Sequence, residues 1–245
     1  LYLYCILYSL SFLLIGIFSV IIVRFKLNIR LTSIKAYEIK EELKEGWYLF
    51  TTSAMSKIFN SISLTVLQFT STDADVGIYS AIQKIPYIIT LLYAPIGQVL
   101  YPYVSQRYGM CFKTIIGRVK KISYYVLTIA SILSILLILK SEFIISRLYG
   151  LEYAKYSTLL IPLLFWLLLS ILNNLIGTQI LVASGHSKEY SIACRIGAIA
   201  IVLLNVGLGV SIGIYGIAIA TMFAELVLTI SIIYQIKKIS KIEMK

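Results

Sequence analysis

Seven stretches of this chain are apolar enough and long enough to cross a lipid bilayer: 1–23, 47–69, 79–104, 122–140, 157–183, 190–210 and 214–236. A spanning helix needs about 20 mostly apolar residues, and no other feature limits the fold as tightly. Composition agrees: 59% of the 245 residues are hydrophobic and 13% are charged, against about 25% charged in a soluble globular domain. Mean hydropathy is +0.90. The expected fold class is all-α, a polytopic membrane protein of about seven transmembrane helices. The chain opens on "LYLYCILYSL" without a Met, a basic n-region or a cleavage site. Its first apolar run is too long for a signal-peptide core of about 7–15 residues. It reads as a transmembrane helix entered part-way along a longer protein, with the chain as a C-terminal fragment.

The formal net charge of +11 is informative once its placement is traced. Segment 24–46 holds Arg24, Lys26, Arg30, Lys35, Lys40 and Lys44, and the next connection, "TSTDADVGI", holds no basic residue. Basic residues return at 105–121, at Arg147 and Lys155, at Lys188, and in the tail at Lys237, Lys238, Lys241 and Lys245. Cytoplasmic loops retain Lys and Arg, so one orientation fits: the first helix runs outside to inside and the tail is cytoplasmic. The charge is then positive-inside bias plus attraction to anionic membrane lipids, and nucleic acid is not expected as a partner. Segment 24–46 carries Ile39, Leu43 and Trp47 at helical spacing, which suits an interfacial amphipathic helix and equally a plain charged linker. Tyr2, Tyr4, Tyr8, Trp47 and Tyr48 sit at segment ends, where aromatic side chains meet the headgroups.

The polar residues at membrane depth are the candidates for function. Lys57 lies about ten residues beyond Trp47, roughly 15 Å into the bilayer at 1.5 Å per residue. An ammonium there costs about 2.5–3.5 kcal/mol on insertion scales, which a watery cavity or a counter-charge would offset. Ser53, Ser56, Lys57 and Asn60 form one polar stripe, loosely continued by Gln68. The third segment repeats it with Ser80, Lys84, Tyr87, Ala94, Gln98 and Tyr101. Two cationic, hydroxyl-bearing stripes on antiparallel neighbours describe one wall of a cavity suited to an anion. The plainer alternatives are that Lys84 snorkels and that Lys57 pairs with Glu225, the acid available at depth; Glu225 is also the candidate for ion coupling. Asn173, Asn174 and Gln179 on the fifth segment are either site or interhelical glue, since such hydrogen bonds average only about 0.6 kcal/mol. Asn205 reads as glue, Gly207, Gly209, Gly213 and Gly216 as small-residue packing, and Arg195 as a snorkelling residue. Pro86, Pro95 and Pro102 crowd the third segment; they predict either a helix that bends during transport or a static kink.

Catalytic and metal chemistry finds little support. Asp73 and Asp75 have the Asp-x-Asp spacing by which glycosyltransferases hold a metal on a nucleotide sugar, but they fall in a short turn without a nucleotide fold. Cys5, Cys111 and Cys194 are too few and scattered for a disulfide framework or a zinc site, and His186 lacks a partner histidine and reads as a loop residue. No catalytic residue, metal or cofactor is expected, and the protein is not expected to be an enzyme.

The stretches "LKEGWYLFTTSAMSKIFNSISLTVL" and "DADVGIYSAIQKIPYIITLLYAPIGQVLYPYVS", followed by "LYGLEYAKYSTLLIPLL", "GTQILVASGHSKEY" and "YGIAIATMFAEL", resemble landmarks of the polysaccharide exporters. The likeness is to the lipid-linked oligosaccharide (O-antigen) flippases of the multidrug/oligosaccharidyl-lipid/polysaccharide superfamily. It implies twelve helices in two six-helix lobes about a central cavity. Residues 1–23 would be the last helix of a truncated first lobe, 24–46 the inter-lobe linker, 47–236 the complete second lobe and 237–245 a basic tail. It also implies movement of an undecaprenyl-diphosphate-linked sugar unit across the bacterial cytoplasmic membrane by alternating access, without ATP, beside other membrane proteins of polysaccharide assembly. On that view Lys57, Lys84, Asn60, Ser53, Gln98, Tyr87, Asn173, Asn174 and Gln179 contact the cargo. The competing readings are a cation-coupled drug antiporter, which should favour buried acids over lysines, and a membrane glycosyltransferase or polymerase, which needs larger outer loops.

Overall fold

The computed structural model describes residues 2–25, 36–106 and 112–242. Among the described residues every element is helical, the expected class. The chain divides into two units, Leu1–Glu45 and Gly46–Lys245. In the first unit, α1 (Tyr2–Phe25) contains the apolar stretch Ile6–Ile22, whose side chains are exposed throughout. Helix α2 (Ala36–Thr70) begins there. The Lys- and Glu-rich run from residue 36 is thus helical and continues unbroken into the apolar second segment. Residues 26–35 of the anticipated linker, and Cys111 in the basic connection after the third segment, lie outside the described residues.

The second unit holds the rest of α2, then α3 (Asp73–Ser105), α4 (Phe112–Leu139), the short α5 (Ser141–Tyr149) and α6 (Leu151–Ala154), α7 (Leu160–Asn173), a π-helical segment (Asn174–Val182), α8 (Ser187–Ile212) and α9 (Ile214–Ile242). The connection between the fourth and fifth segments is therefore two short helices rather than a plain loop. Five helical stretches are long and apolar enough to span a membrane among the described residues. Burial separates them. The most apolar window of α9 is 61% buried and that of α4 only 17%, so α9 is a central element and α4 a peripheral one.

The interior is built by α7 and α9. Leu160, Leu163, Leu164 and Leu167 of α7 are fully buried, as are Ile217, Ala218, Ala220 and Ala224 of α9. Small residues on α9 let neighbouring backbones approach, the usual means of helix association in lipid. The α8–α9 hairpin carries this furthest: a Cβ at Gly216 would collide with the Leu208 carbonyl. Several hydroxyls at depth bond their own helix. Thr52, Ser56, Ser61 and Thr65 each donate to the carbonyl four residues back, and Asn205 does the same through Nδ2 to Ile201. Asn205 thus bonds its own helix. Ser63 on α2 and Thr221 on α9, 2.9 Å apart, form an interhelical bond.

Two sequence features have local explanations. The Asp-x-Asp pair opens α3 as a capping box: the Thr72 hydroxyl accepts from the Asp75 backbone N–H, and the Asp75 carboxylate accepts from the Thr72 backbone N–H. This satisfies two donors that a helix start leaves unpaired. The three prolines lie within α3, which stays helical throughout; Pro86 is buried, while Pro95 and Pro102 are exposed.

Candidate functional site

The fold brings together the amides of the fifth segment. Helix α7 ends at Asn173, and from Asn174 the chain widens into the π segment. Such segments mark functional sites more often than chance. Here the wider turn places Asn174 beside Gln179, five residues on, with Gln179 Nε2 donating to Asn174 Oδ1 at 3.4 Å. In an α-helix, residues five apart point about 140° away from each other. The π segment also lies hard against α8, since a Cβ at Gly177 would strike the Tyr190 ring.

Asn173 and Asn174 serve different neighbours. Asn173 donates through Nδ2 to the Glu225 carboxylate at 3.0 Å and to the Glu225 backbone carbonyl at 3.1 Å. Both residues are buried, at 2% and 5% exposure. Asn174 accepts through Oδ1 from the Tyr93 hydroxyl of α3 at 2.8 Å. Gln179 also donates to the Gly97 carbonyl at 3.2 Å. Two buried acceptors, Asn173 Oδ1 and Gln179 Oε1, have no hydrogen-bond partner.

Two cavities flank this junction. One, of about 150 Å³, is lined by Ser56 and Phe59 of α2, Trp166 and Asn173 of α7, Tyr190 of α8 and Glu225 of α9, among others. The second, of about 440 Å³, runs between α3 and the α7–π stretch, with Thr90, Tyr93, Gln98, Tyr101, Thr178 and Gln179 on its wall. Ser170 and Asn174 line both. The first holds the buried carboxylate, and the second has no charged residue on its lining.

Asn173, Asn174, Gln179, Gln98 and Glu225 are therefore gathered at these cavities. Tyr87 packs against Trp166 with ring centroids 5.6 Å apart. Lys57, Lys84 and Ser53 are exposed and line neither cavity. Among the described residues the Glu225 carboxylate is held by Asn173, and no ion pair joins it to Lys57. The backbone of Asn60 is helical, and its side chain lies outside the described residues. Of the α3 stripe, Ala94, Gln98 and Tyr101 line the larger cavity, whereas Lys84 lies ten residues before Ala94, about 15 Å along the helix. Sequence periodicity did not single out Trp166, Ser170, Tyr190, Cys194, Tyr93 or Thr178. Each is an ordinary residue of an apolar helix until the π turn and α8 bring them around the same space.

The described helices form an all-helical membrane-type fold with cavities in its interior. The comparisons bear out the family resemblance. The family model described as "Polysaccharide biosynthesis protein" matches residues 1–107. A candidate O-antigen transporter of Shigella dysenteriae is 22% identical over 91% of this chain and 55% of its own length. A second, from Escherichia coli (strain K12), is 24% identical over 72% of this chain and 42% of its own. The chain thus spans about half the length of these relatives. Among solved structures, the lipid II flippase MurJ in an inward closed conformation superposes with a TM-score of 0.66 at 20% identity. That match covers 93% of this chain and 50% of the flippase.

Proposed function

We propose that this chain is part of a flippase that carries an undecaprenyl-diphosphate-linked oligosaccharide, such as an O-antigen repeat unit, across the bacterial cytoplasmic membrane by alternating access. Residues 47–236 form one lobe and residues 1–23 the last helix of the other. The tail is cytoplasmic, and the protein is a transporter rather than an enzyme. The observation that carries this reading is the pair of adjoining cavities, with amides, hydroxyls and a carboxylate on their walls, inside a fold shared with a lipid flippase. Polar groups are expensive at membrane depth, and where they gather they mark a transport path. The exposed ammonium groups of Lys57 and Lys84 meet the diphosphate, and the lipid tail stays in the bilayer. Glu225 couples the cycle to an ion gradient.

The test is made in cells lacking their own exporter and supplied with the full-length protein. Lys57→Ala abolishes surface glycan while membrane insertion is kept; undiminished glycan would remove Lys57 from the path. A cysteine placed at residue 60 is labelled by a water-soluble thiol reagent if the stripe is wet. Absence of labelling would mean that the α2 stripe is structural.

A further inference from the structure

The larger cavity has a chemistry of its own, and it differs from what a diphosphate needs. At about 440 Å³ it falls within the range of small-molecule sites, about 300–1,000 Å³; its neighbour, at about 150 Å³, does not. With no cation on its wall, an anion entering it would lose its hydration without compensation. What the wall offers is neutral donors, neutral acceptors and aromatic rings.

The orientation of these groups is fixed. Gln179 Nε2 gives its two N–H groups to acceptors, the Gly97 carbonyl and Asn174 Oδ1. This sets which end of the amide is oxygen. Gln179 Oε1 is left shielded and without a partner in a residue 2% exposed. An orphaned acceptor of this kind costs roughly 1–3 kcal/mol, and a hydroxyl donor reaching it from the cavity removes that cost. Asn174 uses its Oδ1 for Tyr93 and Gln179, so its Nδ2 retains donors beside the same space. Gln98 and Tyr101 stand exposed at the rim. Donor and acceptor amides sharing a wall with Tyr93 and Tyr101 suit a molecule with hydroxyls around its edge and apolar C–H faces.

We infer that the cavity between α3, α7 and the π segment is a subsite for one uncharged pyranose ring of the cargo, with Gln179 Oε1 and Asn174 Nδ2 reading its hydroxyl or acetamido groups. This deepens the flippase reading and rests on it. Charge recognition and sugar recognition then fall to separate surfaces: the lysine-bearing faces of α2 and α3 take the diphosphate, and the neutral cavity takes the sugar.

The full-length protein, reconstituted in nanodiscs, is titrated with three probes: farnesyl diphosphate, the same diphosphate bearing one N-acetylglucosamine, and the same bearing one glucuronic acid. The N-acetylglucosamine probe binds more tightly than the bare diphosphate, by roughly three- to tenfold per hydrogen bond gained, and the glucuronic acid probe loses that margin. Gln179→Leu removes most of the margin and leaves bare diphosphate affinity unchanged. Gln98→Ala, which breaks no internal hydrogen bond of the described residues, reduces the margin about two- to threefold. If Gln179→Leu does not give a folded protein, as judged by its thermal melt, Gln98→Ala decides, and an unreduced margin overturns the subsite. Equal affinity for the bare and N-acetylglucosamine probes overturns the subsite while leaving the flippase reading standing. Binding of none of the three overturns both.

Discussion

The two cavities meet at Ser170 and Asn174, yet one encloses a carboxylate and the other has only uncharged walls. Both lie in apolar helices, and the same pair of adjacent asparagines serves them. The difference arises from where each side chain lands when α7 gives way to the π segment. Asn173, still in α geometry, turns to α9 and Glu225; Asn174, the first π residue, turns to α3 and Tyr93. Two neighbouring amides of the same type therefore divide the interior into a compartment able to hold an ion or a proton and one able to hold a neutral solute.

The largest expected effect is at the charged compartment. Glu225→Gln keeps the volume and can still pair with Asn173, so the protein remains folded, but export measured as surface glycan is lost. Retained export would make Glu225 a structural residue and collapse the distinction between the compartments. Next comes Asn173→Ala, which strips the Glu225 carboxylate of its donor at 3.0 Å. Leaving a buried polar group short of a partner costs about 1–3 kcal/mol, visible as a lower melting temperature in detergent. The loss should shrink when Glu225 is replaced by Leu in the same chain, since only the bond to the backbone carbonyl then remains to be lost, and an undiminished loss would show that the pairing with the carboxylate is not its cause. Asn174→Ala touches the shared wall and removes the acceptor for Tyr93 and Gln179, with an expected cost of about 1 kcal/mol. The smallest change is Tyr93→Phe, worth about 0.6 kcal/mol for a single interhelical hydrogen bond and confined to the neutral compartment. If it altered export as strongly as Glu225→Gln, the compartments would not be functionally separate.

Much of the fold was legible because lipid imposes a simple rule. Apolar runs of spanning length became helices close to where hydropathy placed them, and 157–183 fell within one residue of the observed stretch Ser157–Val182. The capping box at Thr72 and Asp75 could have been read from residue type alone, and it gives the Asp-x-Asp pair a structural role. The site was legible only in part. Asn173, Asn174, Gln179 and Glu225 stand out as polar residues in apolar surroundings. Their grouping does not follow from a period of 3.6, because Asn174 and Gln179 meet only across a π turn. The lysines drew attention for the opposite reason, since charge is conspicuous in such a sequence. Whether a charged side chain lines a given cavity depends on helix rotation, and on α2 and α3 that rotation turns Lys57 and Lys84 outward while burying Ser63, Leu67, Tyr79 and Gln83.

The wide turn from Asn174 to Val182 lets the wall between the compartments absorb a change in chain length. Deleting one residue between Asn174 and Gln179 would let the backbone relax into ordinary α geometry. The two amides, now five residues apart, would then stand four apart, and residues four apart share a face of an α-helix. The pair would survive while the wide turn disappeared. Relatives of this chain can therefore gain or lose a codon here and keep the same two amides side by side.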